Sequence, residues 1–202
     1  MNNTSALRLA KVAEADFPTE FGRFRIYGFT GESNGRTEEA VVLKMGDLGG
    51  PEPPLVRIHS QCLTGDVFHS LRCDCRAQLE IALEAIAAEE RGLLIYEHQE
   101  GRGIGLLNKL RAYELQDRGA DTVEANHRLG FDSDLRDYSL PAAILRHFGL
   151  AAVRLMSNNP EKVEAVEKAG VRVSHRVPVL AAVVDTRQAY LQTKRDKMGH
   201  LL

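Results

Sequence analysis

Hydrophobic positions in the first part of the chain form the short, turn-bounded runs that are typical of β-strands. The runs at 24–29, 40–44 and 55–59 are rich in β-branched and aromatic residues and predict three strands. A polar stretch at 31–36 predicts a loop, and a Gly- and Pro-rich stretch at 49–54 precedes the third run. Because about 50 residues form a poor core of their own, we interpret this part as one layer of a larger domain.

From Cys75 onwards the spacing of the hydrophobic residues becomes that of a helix. Leu79, Leu83 and Ile86 are spaced as i, i+4 and i+7, which predicts an amphipathic helix that ends near Gly92. Strand and helix patterns then alternate, which predicts an α/β fold with a mixed sheet, helices on its faces and a strand-rich N-terminal part. The later strands are predicted at 93–96, 153–156 and 171–173, and the later helices at about 106–118, 141–148, 160–168 and 187–197.

Composition supports one globular domain over residues 1–202, with a flexible segment at 1–9. Hydrophobic residues make up 44% and charged residues 27% of the chain, which excludes a disordered tail, a collagen-like repeat and a disulfide-stapled scaffold. The net charge of −2 implies no general surface for polyanions. Trp is absent and aromatic residues are 6%, so we expect no nucleic-acid partner.

The N-terminus and the cysteines indicate a cytoplasmic protein. The first 17 residues lack a basic start followed by an apolar run, so no secretory signal is predicted. No stretch approaches the roughly 18 apolar residues that a membrane helix needs, so no membrane association is expected. An odd, clustered set of three cysteines makes a poor disulfide framework.

The cysteine cluster is the strongest chemical signal. Cys62, Cys73 and Cys75 could occupy three corners of a zinc tetrahedron and leave the fourth for water, which a metal activates as a nucleophile near pH 7. A closed structural site with His59 or His69 as fourth ligand is an alternative, and three unrelated buried thiols are another. The H-x-E and P-C-x-x-C signature of zinc deaminases is missing, which disfavours that reaction class.

Three turns carry weaker signals. EGRGIG at 100–105 and SNNPEK at 157–162 lie where strands lead into helices, and could present backbone N–H groups, Arg102 or Lys162 to a phosphate. The acidic stretch at 131–138 could supply a base and one arginine. Taken one at a time, each is more often an ordinary turn, a solvated loop or a helix cap. Taken together, the signals describe a site for one metal and one polyphosphate.

Five blocks in the same order resemble the GTP cyclohydrolase II family. The first block contains HSQCLTGD at 59–66 and LRCDC at 71–75, and the second is QEGRGIGL at 99–106. DTVEAN, SNNPEKV and KMGHL follow at 121–126, 157–163 and 197–201. The resemblance extends from about Ala10 to the end of the chain. Several long motifs in register are far more specific than any one of them.

This resemblance implies an enzyme that opens the imidazole ring of GTP at the first step of riboflavin synthesis. It releases formate and pyrophosphate and leaves a diaminopyrimidine ribosylamino monophosphate. Zinc bound by Cys62, Cys73 and Cys75 is the implied catalytic metal, and Mg²⁺ accompanies the triphosphate. Asp134 corresponds to a proton acceptor and Arg136 to a nucleophile toward the α-phosphorus, although we assign Arg136 first to stabilising charge on pyrophosphate.

The resemblance also implies which residues contact the substrate. Tyr113 falls at a position linked to activity, where its hydroxyl could bond the opening base, although its apolar stripe is more typical of a core residue. The residues implied to bind GTP are Arg57, Val56, Ile58, His59, Ser60, Gln61, Gln78, Glu100, Gly101, Arg102, Thr122, Ser157 and Lys162. A homodimer is implied by analogy. We expect the monofunctional form, because the bifunctional forms carry an upstream synthase domain for which this chain has no room.

Three positions depart from the family pattern. Gln61 stands where the family usually has Glu, Arg76 replaces a Gly and adds a cation beside the expected zinc, and Ser157 replaces a Thr. They leave room for a paralogue with altered products or without catalysis. A redox or metal sensor using the same thiols is a competing class. The intact pair of Asp134 and Arg136 argues against a non-catalytic nucleotide-binding relative and against a sensor, because neither needs it.

Overall fold

The computed structural model describes residues 7–33, 35–132 and 134–181, together with residues 192, 195, 196, 199 and 201. Within these residues seven strands form a single sheet: β1 (Arg8–Thr19), β2 (Gly22–Ser33), β3 (Arg36–Met45), β4 (Leu55–Ser60), β5 (Gly92–Glu97), β6 (Ala152–Met156) and β7 (Arg172–Val177). The helices of the described chain are α1 (Leu63–Asp66), α2 (Cys75–Ala88), a 3₁₀ helix (Glu100–Gly103), α3 (Leu106–Asp117), α4 (Thr122–Arg128), α5 (Ser139–His147) and α6 (Pro160–Lys168).

The sheet is mixed, and its order is β1-β2-β3-β5-β4-β6-β7. β1, β2, β3 and β5 pair in antiparallel fashion, whereas β5, β4, β6 and β7 run parallel. The predicted α/β class, with its strand-rich N-terminal part, is therefore confirmed. Among the described helices, none has the length and apolar character that a bilayer crossing requires.

Helices cover both faces of the parallel half, and strand alternation decides which side chain meets which helix. Val56 and Ile58 pack into an apolar cluster with α5 and α6. Leu55 belongs to the opposite cluster, which contains the buried residues of α2. Because successive side chains of a strand point to opposite faces, Arg57 and His59 share the α2 side. The period-2 pattern of β4 thereby separates core residues from polar ones.

The N-terminal strands are longer than predicted. The stretch at 31–36 was expected to be a loop, but β2 continues to Ser33 and β3 begins at Arg36, which pairs with Ser33. β1, which the strand signals did not predict, is almost entirely exposed along its length. Polar residues have no desolvation cost in an exposed strand. Such strands therefore lack the alternation of hydrophobic and polar residues from which a strand is predicted. Residues 1–6 of the predicted flexible segment lie outside the described part, whereas Arg8 and Leu9 pair with β2.

The helical predictions hold for α2, α3, α5 and α6, with small shifts at their ends. α4 was not predicted, although Asp121 and Glu124 form a capping box at its start, which was a readable signal. The proposed apolar stripe of α3 is not a core stripe, since Leu110 is 44% exposed and Ala112 is the buried residue of that helix. The helix predicted over 187–197 lies almost wholly outside the described residues.

Candidate active site

The candidate site lies at the carboxyl ends of the parallel strands β4, β5 and β6. Open α/β sheets bind their ligands at this edge, where loops diverge from the strand ends. Here the chain forms a cleft of about 1030 Å³, open solvent at its mouth included. We call it the strand-end cleft. It is bounded by residues that follow β4 and β5, by α3, and by the segment between β6 and α6.

Most of the sequence-predicted site residues line the strand-end cleft. Those that do are Arg57, His59, Ser60, Gln61, Cys62, Cys73, Cys75, Gln78, Glu100, Gly101, Arg102, Tyr113, Thr122, Arg136, Ser157 and Lys162. Asp134 is absent from the lining but bonds directly to Arg136. Val56 and Ile58 are fully buried on the other face of β4, so their side chains do not reach the cleft.

Other cleft residues were missed by the sequence reasoning. Lys109 and Gln116 come from α3, whose polar positions resemble an ordinary solvated helix face in the sequence. Asn158 and Asn159 belong to a motif whose hydroxyl, amide and lysine groups were considered for anion binding, but neither asparagine was named as a site residue. Gln99 directly precedes the EGRGIG block, and its position there was the one available signal.

The three cysteines converge into one cluster. Cys62 caps α1 just beyond β4, Cys73 lies in the following loop, and Cys75 begins α2. Their Sγ atoms lie within 4.8 Å of one another, and the Cys62 and Cys73 Sγ atoms are 3.6 Å apart. Two thiolates on one tetrahedral zinc would be about 3.8 Å apart, given Zn–S bonds of about 2.3 Å. The donor set therefore fits zinc.

Neither histidine considered as a fourth ligand joins this cluster. The Nε2 atom of His59 faces the carboxylate of Asp66 at 3.2 Å, and that of His69 lies 2.7 Å from Nη1 of Arg76. The cysteines form the single potential metal-ligand group found in the described parts of the chain. Three protein ligands, with the fourth position left to water or substrate, is the arrangement that catalytic zinc sites use.

The cluster needs a cation to ionise fully. Hydrogen bonds from Cys73 and Cys75, aided by Lys109, lower the pKa of Cys62, and Nζ of Lys109 lies 3.0 Å from its Sγ. The Cys62 sulfur in turn raises the pKa of Cys73 to about 11, and it raises the pKa of Cys75 as well. One thiolate thus suppresses the other two, and a bound divalent cation would relieve this repulsion.

Arg76 does not supply the cation that was expected beside the cysteines. Its Nε donates to Glu80 at 2.7 Å and its Nη1 donates to the Asp66 carbonyl at 3.0 Å. These bonds hold the guanidinium on α2, and Arg76 is absent from the cleft lining. The neighbouring cation is Lys109, which also donates to Glu100 at 2.7 Å.

Gly65 leaves room for the sulfur atoms. A Cβ atom at this position would lie 2.7 Å from Sγ of Cys73 and 3.1 Å from Sγ of Cys62. We expect Gly65→Ala to weaken zinc binding about 10- to 100-fold, the range found when groups that support metal ligands are disturbed. Competition with a chromogenic chelator measures it.

The matched control is Gly28→Ala, because a Cβ atom there meets nothing within 4 Å. It should retain the affinity of the unmodified chain for zinc. Equal zinc affinity in the Gly65 and Gly28 variants would contradict the assignment of the three thiols as one ligand set.

Arg136 and Asp134 form an ion pair that is largely shielded from solvent. Nε of Arg136 donates to Oδ1 of Asp134 at 2.8 Å, and Nη2 donates to Oδ2. Burial opposes both charges, but the mutual hydrogen bonds outweigh it, so the pKa of Asp134 is lowered and that of Arg136 is raised. Nη1 of Arg136 also points to Ser60 Oγ, at 3.4 Å. Asp134 thus holds the Arg136 guanidinium in a fixed orientation at one side of the cleft.

Lys162 is a second cation, and it is almost completely buried. Its Nζ donates to the Ile58 carbonyl at 2.9 Å and to Ser60 Oγ at 3.2 Å, with the Glu97 carboxylate 3.8 Å away. Burial lowers the pKa of Lys162 to about 7, and Glu97 opposes that effect only in part. An anionic ligand beside Lys162 would raise its pKa again and favour the protonated form.

Tyr113 borders the cleft and is not a core residue. The interpretation of its apolar stripe as a core face is therefore wrong. Its hydroxyl lies 3.2 Å from Thr64 Oγ1, two residues beyond Cys62. The Arg72 guanidinium lies over its ring, 4.8 Å from the ring centroid. These contacts hold the phenol beside the cysteine cluster.

Comparisons with known proteins agree over nearly the whole chain. The family model described as GTP cyclohydrolase II matches residues 10–178. The chain is 56% identical to GTP cyclohydrolase-2 of Azotobacter vinelandii over 191 residues, which cover 95% of this chain and 91% of that protein. It is 55% identical to GTP cyclohydrolase-2 of Pseudomonas putida, over 95% and 92% of the two chains.

The agreement extends to a further genus. GTP cyclohydrolase-2 of Yersinia pseudotuberculosis is 53% identical over 196 residues, which cover 97% of this chain and 99% of that protein. The matched region contains the cysteine cluster, the Arg136–Asp134 pair and Lys162. The chain therefore belongs to the GTP cyclohydrolase II family of enzymes.

Proposed function

We propose that the chain is a zinc-dependent GTP cyclohydrolase II that opens the imidazole ring of GTP. The products are formate, pyrophosphate and 2,5-diamino-6-hydroxy-4-(5-phosphoribosylamino)pyrimidine, in the first step of riboflavin biosynthesis. The observation that carries the proposal is that one cleft is lined by three clustered thiols and by Arg136, whose guanidinium Asp134 orients. The reaction needs these two functions, a metal at the base and a fixed cation at the phosphates.

Cys62, Cys73 and Cys75 would hold the zinc. When bound there, zinc supplies a Lewis acid for hydrolysis at the imidazole carbon that leaves as formate. Tyr113 lies on the same side of the cleft, and we propose that its hydroxyl hydrogen-bonds the base as the ring opens. Its contact with Thr64 at 3.2 Å limits where that hydroxyl can point.

Arg136 would act on the phosphates as a fixed positive charge. A nucleophilic role needs a free guanidine base, but the hydrogen bonds that Arg136 donates to Asp134 raise the pKa of Arg136 further. A guanidinium that Asp134 already orients can stabilise the charge that develops on departing pyrophosphate, without reorganisation. Asp134 thus positions Arg136, and because the same hydrogen bonds lower its pKa, it would be a weak proton acceptor while it is paired.

The remaining cleft residues would bind the rest of GTP. Several of their buried polar atoms lack a partner, namely Arg57 Nε, Arg102 Nη1 and Asn159 Nδ2. Buried donors without acceptors are costly, and oxygen atoms of a nucleotide would satisfy them. We propose that Mg²⁺ enters with the triphosphate, and that the enzyme is a homodimer, which analytical ultracentrifugation would test.

The deciding experiment measures formate and pyrophosphate released from GTP by the zinc-loaded chain with Mg²⁺ present. Equimolar release of both is the expected result, and it should disappear when zinc is removed by a chelator and return when zinc is added. Pyrophosphate without formate would indicate an altered-product relative. Binding of GTP without either product would contradict the proposal and indicate a non-catalytic relative.

Lys162 makes GTP binding depend on pH. Because burial lowers its pKa to about 7, Lys162 is largely neutral at pH 8, and the phosphates of GTP should restore its proton. Binding then takes up a proton, and the dissociation constant should rise as pH increases above 7, by at most about tenfold per pH unit. Calorimetry in buffers of different ionisation enthalpy measures this uptake.

Lys162→Met should abolish the proton uptake and flatten the pH dependence. Lys168→Met is the matched control, since Lys168 lies on the same helix but is exposed and paired with Glu164. Proton uptake that persists in the Lys162 variant would assign the effect to another group.

A further inference from the structure

A histidine–carboxylate pair is buried at the floor of the strand-end cleft. His59 belongs to β4 and Asp66 to α1, and their side chains are 2% and 4% exposed. Nε2 of His59 lies 3.2 Å from each carboxylate oxygen of Asp66. The ring also stacks on Tyr96, its register partner on β5, with the ring centroids 5.4 Å apart. The imidazole is therefore held by Tyr96 at its face and by the Asp66 carboxylate at Nε2.

The surroundings of Asp66 determine which imidazole nitrogen carries the proton. Its Oδ2 accepts from the Cys62 backbone N–H at 2.9 Å and from the Tyr96 hydroxyl at 2.8 Å. A carboxylate with these donors acts as an acceptor, so the His59 nitrogen that faces it must donate. Burial lowers the pKa of His59 although Asp66 opposes it, and this direction favours the neutral ring. The proton lies on Nε2 and the free lone pair on Nδ1.

That lone pair has no partner. His59 lines the cleft, and its Nδ1 is buried without a hydrogen bond. The other unpaired buried side-chain atoms of the cleft, within the described residues, are donors, on Arg57, Arg102 and Asn159. A complementary ligand therefore presents oxygen acceptors at several points and an N–H or O–H donor at one.

We propose that His59 Nδ1 accepts a hydrogen bond from an N–H or O–H group of the nucleoside part of the substrate, and that Asp66 is the positioning residue that fixes the tautomer. The first part rests on the proposed function, since it takes GTP as the ligand. The phosphates cannot satisfy this acceptor, because fully ionised phosphates carry no donor. His59 thus selects for the nucleoside and against free polyphosphate.

The first test is ¹⁵N NMR of histidine-labelled, zinc-loaded protein, without turnover. We expect an Nε2–H, Nδ1-unprotonated ring for His59 at pH 7. A GTP analogue with a methylene group between the α and β phosphorus atoms should shift the Nδ1 resonance, whereas tripolyphosphate should leave it in place. A protonated Nδ1, or an Nδ1 resonance that the bound analogue does not move, overturns the proposal. Because no product is measured, this result stands apart from whether the chain turns over GTP.

The second test is Asp66→Asn, whose amide can donate to Nε2 and so shift the proton to Nδ1. An analogous exchange in a Ser-His-Asp enzyme leaves the geometry intact and fixes the wrong tautomer. We expect an Nδ1–H resonance and binding of the methylene analogue weakened about 10- to 100-fold, since a buried donor then faces a donor. Tripolyphosphate binding and zinc content should match those of the unmodified chain.

Tyr96→Phe is the matched control for the tautomer. It removes one hydrogen bond to Asp66 but leaves the carboxylate, so the Nε2–H form should persist. Undiminished analogue binding by Asp66→Asn with the proton moved to Nδ1 overturns the proposal. If that variant does not fold, the resonances of the unmodified protein decide the question.

Discussion

Replacing Cys73 by serine is expected to abolish formate release from GTP while the chain remains folded. The Sγ atom of Cys73 lies 3.6 Å from that of Cys62, and a hydroxyl is a poor substitute for a thiolate on zinc. Loss of a direct ligand should cost more than the roughly 10- to 100-fold in metal affinity that supporting groups contribute. Formate assays at matched zinc occupancy, together with urea unfolding, measure both effects.

Two outcomes would contradict this expectation. Formate release within about tenfold of the unmodified enzyme would show that the thiol is dispensable for catalysis. Unfolding that accompanies the loss of activity would favour a structural zinc, because structural sites contribute folding energy directly. Cys75→Ser is the matched variant, since Cys75 belongs to the same ligand set and should give the same result from the start of α2.

Replacing Arg136 by glutamine is expected to slow pyrophosphate release about 10²- to 10³-fold, the usual effect of losing one preorganised donor to a developing charge. Arg136→Lys should recover only part of the rate, because an ammonium keeps the charge but not the fork that Asp134 aligns. Quenched-flow measurement of pyrophosphate from saturating GTP separates this step from substrate binding.

Stability requires a control for this variant. Removing Arg136 leaves Asp134 a shielded carboxylate without its partner, which could cost up to about 3–5 kcal/mol. The double variant Asp134→Asn with Arg136→Gln removes both charges and should regain stability without regaining activity. Recovery of pyrophosphate release in the double variant would instead assign the slow rate of the single variant to misfolding.

The sequence predicted the parallel half of the fold better than the antiparallel half. The runs that became β4 and β5 are buried on both faces, and β6 has no exposed residue, so these strands were readily predicted. β1 and the ends of β2 and β3 are exposed, and their polar residues resemble loops. The sequence feature that indicates α4 is its capping box and not a hydrophobic stripe.

Chemistry carried by residue type and spacing was readable from the sequence alone. The three cysteines could be identified as a candidate metal-ligand set, with three unrelated buried thiols as an alternative, and the order of several motifs indicated the family. Asp134 and Arg136 could be placed in one site, since two residues in one short loop lie close together, but their ion pair was not predicted. Residues that are close in the chain are also close in space, so such neighbours can be predicted from the sequence.

The tertiary structure alone decided which residues share the site. Val56 and Ile58 lie beside Arg57 and His59 in sequence, yet strand pleating sends them into the opposite core cluster. Lys109 reaches Cys62 across 47 positions of the chain. The tautomer of His59 likewise depends on partners from other elements. Such contacts are fixed by the packing of α1, α3 and β5 around one strand end, and no local pattern encodes that packing.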